Sequence, residues 1–278
     1  MPKKHAKAWG LGGVSSFELP PKRGDYTIVG FFDLHGEWRE PGLFDAGLKV
    51  LADLEPDLTA LGGDGRNYDL ISRWQTAQLK RKTPLELLEA IEEETSEYNR
   101  GVLANIRTVI GDRPLIEVEG NHDDRLRKFL DDDLHKAWRV SMEFMRVDDW
   151  LNGYYTRAGV LVQGALQISH GVKTSKYPAP AEYADSKVSG WTGHVHNAHQ
   201  FFERPWPERG IWHEHTCAPC MCRLDANYGH GNAGLMRWHQ GIVVCTMDAQ
   251  RPEIHHTDIG LWNGEYLSLR GKRYYPGS

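Results

Sequence analysis

The chain has 278 residues, a formal net charge of −5, 40% hydrophobic residues and 26% charged residues. These values are typical of a folded domain with a full core, and they exclude a protein that coats a polyanion through its overall charge. The sequence contains no apolar run of about 18 residues, so we expect no membrane partner. The four cysteines and the lack of a secretory signal pattern predict a cytoplasmic protein.

The first half of the sequence predicts alternating strands and helices. Strands are predicted where β-branched and aromatic residues run without a helical period: 26–32, 58–61 and 114–118. Helices are predicted at 41–54, at 83–111 and over most of 124–150. A Thr83/Glu86 capping box begins the second helix and Gly111 ends it. On the second and third helices we expect Leu85, Leu88, Leu126 and Phe129 to face the core.

The second half is predicted to be mostly β. Two strands pair around residues 163–164, a short helix covers 179–185, and further strands cover 187–192, 212–217 and 241–247. Alternating strands and helices followed by strands predict a layered α/β domain with a mixed or two-sheet core. We expect one domain over 1–278, with a tail at 1–24, a helical insertion at 75–112 and C-terminal strands at 200–278.

Polar side chains follow five of the predicted strands at the point where each strand ends. They are Asp33 with His35, Asp64, Asn121 with His122, His170, and His194 with His196. Carboxylate, imidazole and amide groups suit divalent metals such as Mn²⁺, Fe²⁺ and Zn²⁺. Ligand sites of open α/β sheets lie beyond the carboxyl ends of the strands, so the five ends can converge. Each residue alone has an ordinary alternative, such as a turn, a helix cap or a core histidine, but the joint pattern predicts a metal site.

In chain order these clusters read D-x-H, G-D, G-N-H-D, H and G-H-x-H, and this ordered set resembles the calcineurin-like metallophosphoesterase superfamily. The resemblance covers residues 26–200. The Ser72-Arg73-Trp74 run after the second block and Arg125 after the third are similar to the small stand-alone phosphoesterases of phages and bacteria. The fold that the resemblance implies is a four-layer αββα sandwich of two mixed β-sheets flanked by helices.

The resemblance also implies two divalent metal ions bridged by Asp64. One ion would be held by Asp33, His35 and His196, and the other by Asn121, His170 and His194. Mn²⁺ is the expected ion, with Fe, Zn, Ni or Co as alternatives. Two such ions lower the pKa of bound water, so that a bridging hydroxide can attack the phosphorus of a phosphoester at neutral pH.

His122 stands outside that ligand set and is predicted to act as the general acid toward the leaving group. Asp123 would either orient His122 or cap the following helix, and the sequence leaves both roles open. Arg66, Asn67 and Arg125 are candidate substrate-binding residues, each with the alternative of an ordinary exposed side chain.

The resemblance implies hydrolysis of a phosphomonoester or phosphodiester, with a nucleotide or nucleic acid as a possible substrate. A DNA exonuclease or endonuclease is an alternative, although the negative net charge weighs against duplex binding. A second alternative, from a different class, is a non-catalytic protein-binding scaffold, which missing ligands would mark. No ligand position of the resemblance is missing here.

A further zinc site is a separate possibility at the end of the predicted strand 212–217. Cys217 and Cys220, with His213 and His215 nearby, have the ligand chemistry of zinc, and whether Cys222 binds a further metal with them stays open. The sequence has no second C-x-x-C pair, and the alternation along the strand favours structural thiols.

Overall fold

The computed structural model describes residues 13–72, 83–130, 145–204, 211–224 and 237–277. Numbered along the chain, the strands of the first half are β1 Ser15–Phe17, β2 Asp25–Phe31, β3 Leu58–Leu61, β4 Leu115–Val118, β5 Gly153–Tyr155, β6 Val160–Val162 and β7 Leu166–Ser169. The later strands are β8 Gly190–Thr192, β9 His199–Glu203, β10 His213–Cys217, β11 Gly241–Asp248, β12 His255–Trp262, β13 Leu267–Leu269 and β14 Lys272–Tyr274.

The helices are α1 Pro41–Leu54, α2 Pro84–Tyr98, α3 Ala104–Ile110, α4 Asp124–Leu130 and α5 Pro178–Ser186. A π-helical turn, Asn99–Leu103, joins α2 to α3, and short 3₁₀ turns cover Gly36–Trp38, Asp69–Ile71 and Val147–Asp149. Among the described helices, none is long and apolar enough to cross a membrane.

The strands form two mixed sheets. The eight-stranded sheet has the order β14-β13-β12-β11-β2-β3-β4-β5, in which β2 to β5 are parallel neighbours. The six-stranded sheet has the order β1-β6-β7-β8-β10-β9, in which β7, β8 and β10 are parallel. The carboxyl ends of the parallel strands therefore lie at one edge of each sheet.

The residues of β2 show how the layers pack, because successive side chains of a strand point to opposite faces. Tyr26 and Ile28 lie in the core between the two sheets, together with Trp191 of β8. Val29 and Phe31 lie in the core that covers the other face of the sheet, against α1, α2 and α3. On the outer face of the six-stranded sheet, α5 contacts β8, β9 and β10. The fold is thus α/β, with two mixed sheets flanked by helices, as predicted.

The individual elements agree with the sequence prediction in most places. The bounds of α1 and β3 are those predicted, β6 and β7 pair in antiparallel fashion, and Thr83 and Glu86 form the capping box. The predicted tail contributes β1, which pairs in parallel with β6.

The prediction of the inward faces of α2 and α4 was partly wrong. Leu85, Leu88 and Phe129 are exposed by 64%, 41% and 38%. Leu87 is instead only 8% exposed, and it lies on the face that also buries Ile91. Leu87 and Leu88 are adjacent, so either could lie on the apolar face of the helix. The buried face is the one that contains Leu87 and Ile91.

The helix predicted over most of 124–150 is tested only near its two ends. Asp124–Leu130 are helical and residues 147–149 form a 3₁₀ turn, while 131–144 lie outside the described residues. The same holds for residues 1–12 of the predicted tail, for 75–82 of the predicted insertion and for Arg73 and Trp74.

Candidate metal centre

The seven predicted metal ligands converge where the ends of parallel strands from both sheets meet. In the eight-stranded sheet, Asp33 and His35 follow β2, Asp64 follows β3 and Asn121 follows β4. In the six-stranded sheet, His170 follows β7, and His194 and His196 follow β8. Each side chain is placed by a short loop on a rigid strand, which is the arrangement expected of a functional site.

Asp64 lies at the middle of this cluster. Its Oδ2 atom is 3.2 Å from Nε2 of His170 and 3.9 Å from Nε2 of His122. Its Oδ1 atom accepts the backbone N–H of His122 at 2.7 Å. Burial raises the pKa of Asp64, but the imidazoles of His170 and His122 outweigh it and hold the pKa well below its usual range. The carboxylate is therefore ionised and lies between both sides of the cluster.

One side of the cluster is formed by Asp33, His35 and His196. The Nε2 atom of His196 is 3.3 Å from Nε2 of His35 and 3.5 Å from Oδ1 of Asp33. Asn67 fixes the orientation of His35, because its Nδ2 donates to the His35 carbonyl oxygen at 2.9 Å and its Oδ1 accepts from Nδ1 at 2.8 Å. Since Oδ1 can only accept, the proton of His35 is on Nδ1, and Nε2 is left as a metal-binding nitrogen.

The other side is formed by Asn121, His170 and His194. The Nε2 atom of His170 is 3.0 Å from Oδ1 of Asn121, and the His170 and His194 rings are 5.2 Å apart at their centroids. Nδ1 of His170 donates to the carbonyl oxygen of Gly62 at 3.0 Å, which directs Nε2 toward Asp64. Burial lowers the pKa of His170, but the carboxylates of Asp64 and Asp33 raise it to about 9.

The backbone at the cluster is unusual. Five predicted ligands have a left-handed conformation, with φ of 51° at Asp33, 54° at His35, 49° at Asp64, 71° at His194 and 55° at His196. A non-glycine residue in this region costs about 1–3 kcal/mol, and such residues concentrate at functional sites. The scaffold therefore holds these loops in positions that the isolated chain would rarely adopt.

Glycines allow the loops to approach each other closely. A Cβ atom on Gly120 would overlap the backbone nitrogen and the carboxylate of Asp64, and one on Gly193 would lie 2.6 Å from Oδ2 of Asp33. Gly120 and Gly193 precede the predicted ligands Asn121 and His194. The close packing of the cluster thus requires glycine at both positions.

The donor atoms of the cluster fit a divalent metal. Among the described residues, three groups have ligand atoms within 4.8 Å of one another: His35, His196 and Cys222; His35, Asp64 and His122; and Asp64, His170 and His194. Burial and the neighbouring His122 lower the pKa of His35 to about 3, which keeps this imidazole in the neutral form that binds metals. Buried imidazole and carboxylate groups that can bind metal ions are thus assembled here.

His122 and Arg125 lie together beside the cluster. Nη2 of Arg125 is 3.2 Å from Nε2 of His122, and Nη1 donates to the carbonyl oxygen of Asn67 and to Oδ1 of Asp69 at 2.7 and 2.6 Å. Burial lowers the pKa of His122 to about 4, although the Asp64 carboxylate opposes this effect. Arg125 is therefore within reach of a group bound next to His122, but it shares its charge with Asp69.

Arg66 lies beneath the cluster instead of facing its open side. Its side chain is fully buried, with Nη1 donating to Oε1 of Glu117 at 3.0 Å and the guanidinium 4.1 Å from the ring centroid of Tyr98. In this position the arginine neutralises a buried carboxylate and does not offer its charge to a phosphate. Asn67 is also buried, and its observed contacts orient His35.

Asp123 joins the loop that follows β3 to the loop that follows β4. Its carboxylate accepts backbone N–H groups from Gly65, Arg66 and Gly120 at 3.3, 3.0 and 2.9 Å. Asp64 lies next to Gly65, and Asn121 lies next to Gly120. Asp123 therefore sets the distance between Asp64 and Asn121, a role that neither sequence alternative included.

Sequence reasoning missed Glu117, and for Cys222 it left open only whether this residue binds a further metal. Glu117 had a signal, since it is a charged residue within the apolar run of β4. Cys222 stood in the cysteine run that suggested a zinc site, but its position next to His196 depends on tertiary packing. The suggested zinc site is not assembled, since no candidate metal group among the described residues includes Cys217, Cys220, His213 or His215.

A cavity of about 550 Å³ opens next to the His35 side of the cluster. Gly36 and Asn67 line it, and it lies between α2 and the two 3₁₀ turns that follow β2 and β3. Its charged lining residues are Glu37, Arg39, Asp69, Glu93, Glu94 and Glu97. The cavity is therefore predominantly acidic.

A comparison of the chain with protein-family models gives no match, and neither does a comparison with curated proteins. Among solved structures, one crystal structure is 13% identical with a TM-score of 0.40, over 86% of this chain and 100% of that one. The protein TT1561 of Thermus thermophilus is 9% identical with a TM-score of 0.36, over 84% of this chain and 97% of that one. Both structures are thus remote from this chain in sequence and in fold.

Proposed function

We propose that this protein is a metal-dependent hydrolase of phosphoester bonds. The observation that carries the proposal is the convergence of carboxylate, imidazole and amide donors from five strand ends around the ionised Asp64. The resemblance of the ordered motifs to the calcineurin-like metallophosphoesterases supports it. No ligand position of that resemblance is lost, which disfavours the alternative of a non-catalytic scaffold.

Two divalent ions are proposed, and the ligand roles follow the two sides of the cluster. Asp33, His35 and His196 would hold one ion, Asn121, His170 and His194 would hold the other, and Asp64 would contact both. When bound, the ions would supply Lewis acidity toward the phosphoryl group and would activate water at neutral pH. Mn²⁺ is the ion that we propose to test first.

His122 and Arg125 are proposed to act on the leaving-group oxygen. They are adjacent to the cluster, and the His122 ring is 4.8 Å from the His35 ring at the centroids. His122, which is neutral near pH 7 because burial lowers its pKa to about 4, would donate a hydrogen bond to the oxygen as negative charge develops on it. Arg125 would stabilise the same charge from its position 3.2 Å from the histidine.

The acidic cavity bears on the choice of substrate. A polynucleotide placed on this side would bring its phosphates close to Glu93 and Glu97, which are residues of α2 that line the cavity. The negative charges of these glutamates would repel the phosphates and oppose binding. We therefore propose a small phosphomonoester or phosphodiester, with a neutral or cationic alcohol portion, ahead of the DNA nuclease alternative.

One panel of substrates tests the proposal. Protein loaded with Mn²⁺ would be assayed with a bis-aryl phosphodiester, an aryl phosphomonoester, a cyclic nucleotide and single-stranded DNA. We expect hydrolysis of at least one of the first three, its loss with a chelator, and its loss in Asp64→Asn. Asp112→Asn, a change at an exposed aspartate, serves as the matched control and should keep full activity. Protein that binds metal but hydrolyses none of the four substrates would overturn the proposal.

A further inference from the structure

We propose that Cys222 is a sulfur partner of the metal site formed by Asp33, His35 and His196, and that it makes this site prefer zinc or ferrous iron to manganese. The inference rests on the metal-dependent function proposed above. Its starting observation is that Sγ of Cys222 is 3.8 Å from Nδ1 of His196. Cys222, His35 and His196 are all buried, and their ligand atoms lie within 4.8 Å of one another.

The position of the thiol is fixed by the backbone around it. The N–H of Met221 donates to the carbonyl oxygen of Phe32 at 2.9 Å, and the N–H of Glu40 donates to the carbonyl oxygen of Met221 at 2.8 Å. Nε2 of Gln240 donates to the carbonyl oxygen of Cys222 at 2.8 Å. The segment that carries the cysteine is therefore hydrogen-bonded to both sides of the loop containing Asp33 and His35.

The ring and the backbone of His196 are also held by neighbouring residues. Its ring packs edge-on against Trp238, with centroids 4.2 Å apart, and its carbonyl oxygen accepts the N–H of His239 at 2.7 Å. The two ring nitrogens face different partners. Nε2 faces Asp33 and His35, and Nδ1 faces the sulfur of Cys222. The thiol of Cys220 also contacts the side chain of His196. The Cys222 thiol thus lies next to Nδ1, the ring nitrogen of His196 that faces away from Asp33 and His35.

The identity of that partner sets the chemistry of the site. The second nitrogen of a metal-binding histidine ordinarily meets a carboxylate, a backbone carbonyl or a water, and loss of that partner costs about 10- to 100-fold in metal affinity. Here the partner is a polarisable sulfur within reach of two imidazoles. The sulfur can also bind an ion itself, because its ligand atom and those of His35 and His196 lie within 4.8 Å of one another. A sulfur ligand favours soft and borderline metals over the hard ions that prefer oxygen. The Asp33 side of the cluster should therefore select zinc or ferrous iron, while the Asn121 side, with its amide oxygen, should not.

The experiment compares zinc with manganese. Affinities of the protein for Zn²⁺ and Mn²⁺ would be measured by competition titration, without reference to activity, for the wild type and for Cys222→Ser. We expect zinc affinity at one site to fall by about 10- to 100-fold and manganese affinity to stay unchanged. Cys245→Ser, which alters a buried thiol on β11, is the matched control and should change neither affinity.

The possible outcomes separate this inference from the proposed function. Wild-type protein that binds neither metal would overturn both. Unchanged zinc affinity in Cys222→Ser, or an equal loss for the two metals, would overturn the role of sulfur alone. If the variant fails to fold, labelling of the wild type with iodoacetamide decides: Zn²⁺ should slow the labelling of Cys222 more than Mn²⁺ does, and Cys245 should show no such difference. Equal protection by both metals at Cys222 would refute the inference.

Discussion

Oδ2 of Asp64 lies 3.2 Å from Nε2 of His170, and this contact joins the two β-sheets at the candidate metal centre. Asp64 follows β3 in the eight-stranded sheet, and His170 follows β7 in the six-stranded sheet. The position of Asp64 between the two sides of the cluster makes it the residue on which any shared metal site must depend.

Replacing Asp64 by asparagine should remove both metal binding and hydrolysis. The amide keeps the shape of the carboxylate but lacks the negative charge that holds two dications together. Metal content by elemental analysis and turnover of an aryl phosphate would be measured on the same preparation. Retention of two metals per chain by the variant would contradict the bridging role.

Metal binding should release a proton and should strengthen with rising pH. The carboxylates of Asp64 and Asp33 raise the pKa of His170 to about 9 against the opposing effect of burial, so near neutral pH a metal ion must displace a proton from this ring. Affinity should therefore rise between about pH 7 and 9 and level off above the His170 pKa. Calorimetry in buffers of different ionisation enthalpy would detect the released proton. Affinity that does not vary over this interval would contradict the assignment of His170 as a ligand.

His122→Ala should keep both metals and lose turnover mainly on substrates with poor leaving groups. The variant removes a donor to the leaving oxygen and leaves the proposed ligands in place. Rates for an alkyl phosphoester and an activated aryl phosphoester would be compared, and the first should fall by about 100-fold or more relative to the second. An equal loss on both substrates would count against His122 as the donor.

Arg66→Met should destabilise the protein strongly. The change leaves the buried Glu117 without its ionic partner, and removal of one member of a buried pair typically costs about 3–5 kcal/mol. Denaturant unfolding would measure the loss, and the double variant Arg66→Met with Glu117→Leu should recover part of it, because both charges are then absent. A stable single variant with a raised KM would instead support the phosphate-binding role suggested by the sequence.

Glu94 should make the stability of the fold depend on pH. Burial raises its pKa to about 7, although the backbone N–H groups of Tyr68 and Asn67 oppose this effect. A group whose pKa is raised on folding stabilises the protein fully below its unfolded pKa, and that stability is lost as pH rises through about 7. Glu94→Gln should therefore reduce the loss of unfolding free energy between about pH 5 and 8. Glu92→Gln, at an exposed position of the same helix, should leave the loss unchanged.

The sequence predicted the elements and strand ends well, because these depend on local patterns. The Thr83/Glu86 capping box, the bounds of α1 and the polar residues after β2, β3 and β4 are all readable from neighbouring residues. That these polar residues lie close together was predicted from the geometry of parallel strands and from the resemblance. This prediction required no knowledge of side-chain packing.

Roles that depend on contacts between distant segments were not predictable. Arg66 was predicted to bind a phosphate. Its actual partner, Glu117, lies 51 residues away on the next strand, so the sequence does not reveal the ion pair. The side of α2 that faces the core could not be chosen between Leu87 and Leu88 without the position of the sheet. Cys222 reaches His196 only because residues 220–222 pair with the loop after β2.

Because the candidate ligands come from both sheets, any ion bound between them would cross-link the two layers. The layers otherwise adhere through the apolar contacts around Trp191, whose indole N–H donates to Thr257 at 2.9 Å. The ligand cluster is therefore complete only when the two sheets are packed against each other. A bound ion would in turn oppose sliding or separation of the sheets. Ion binding would therefore stabilise the packing of the two sheets against each other.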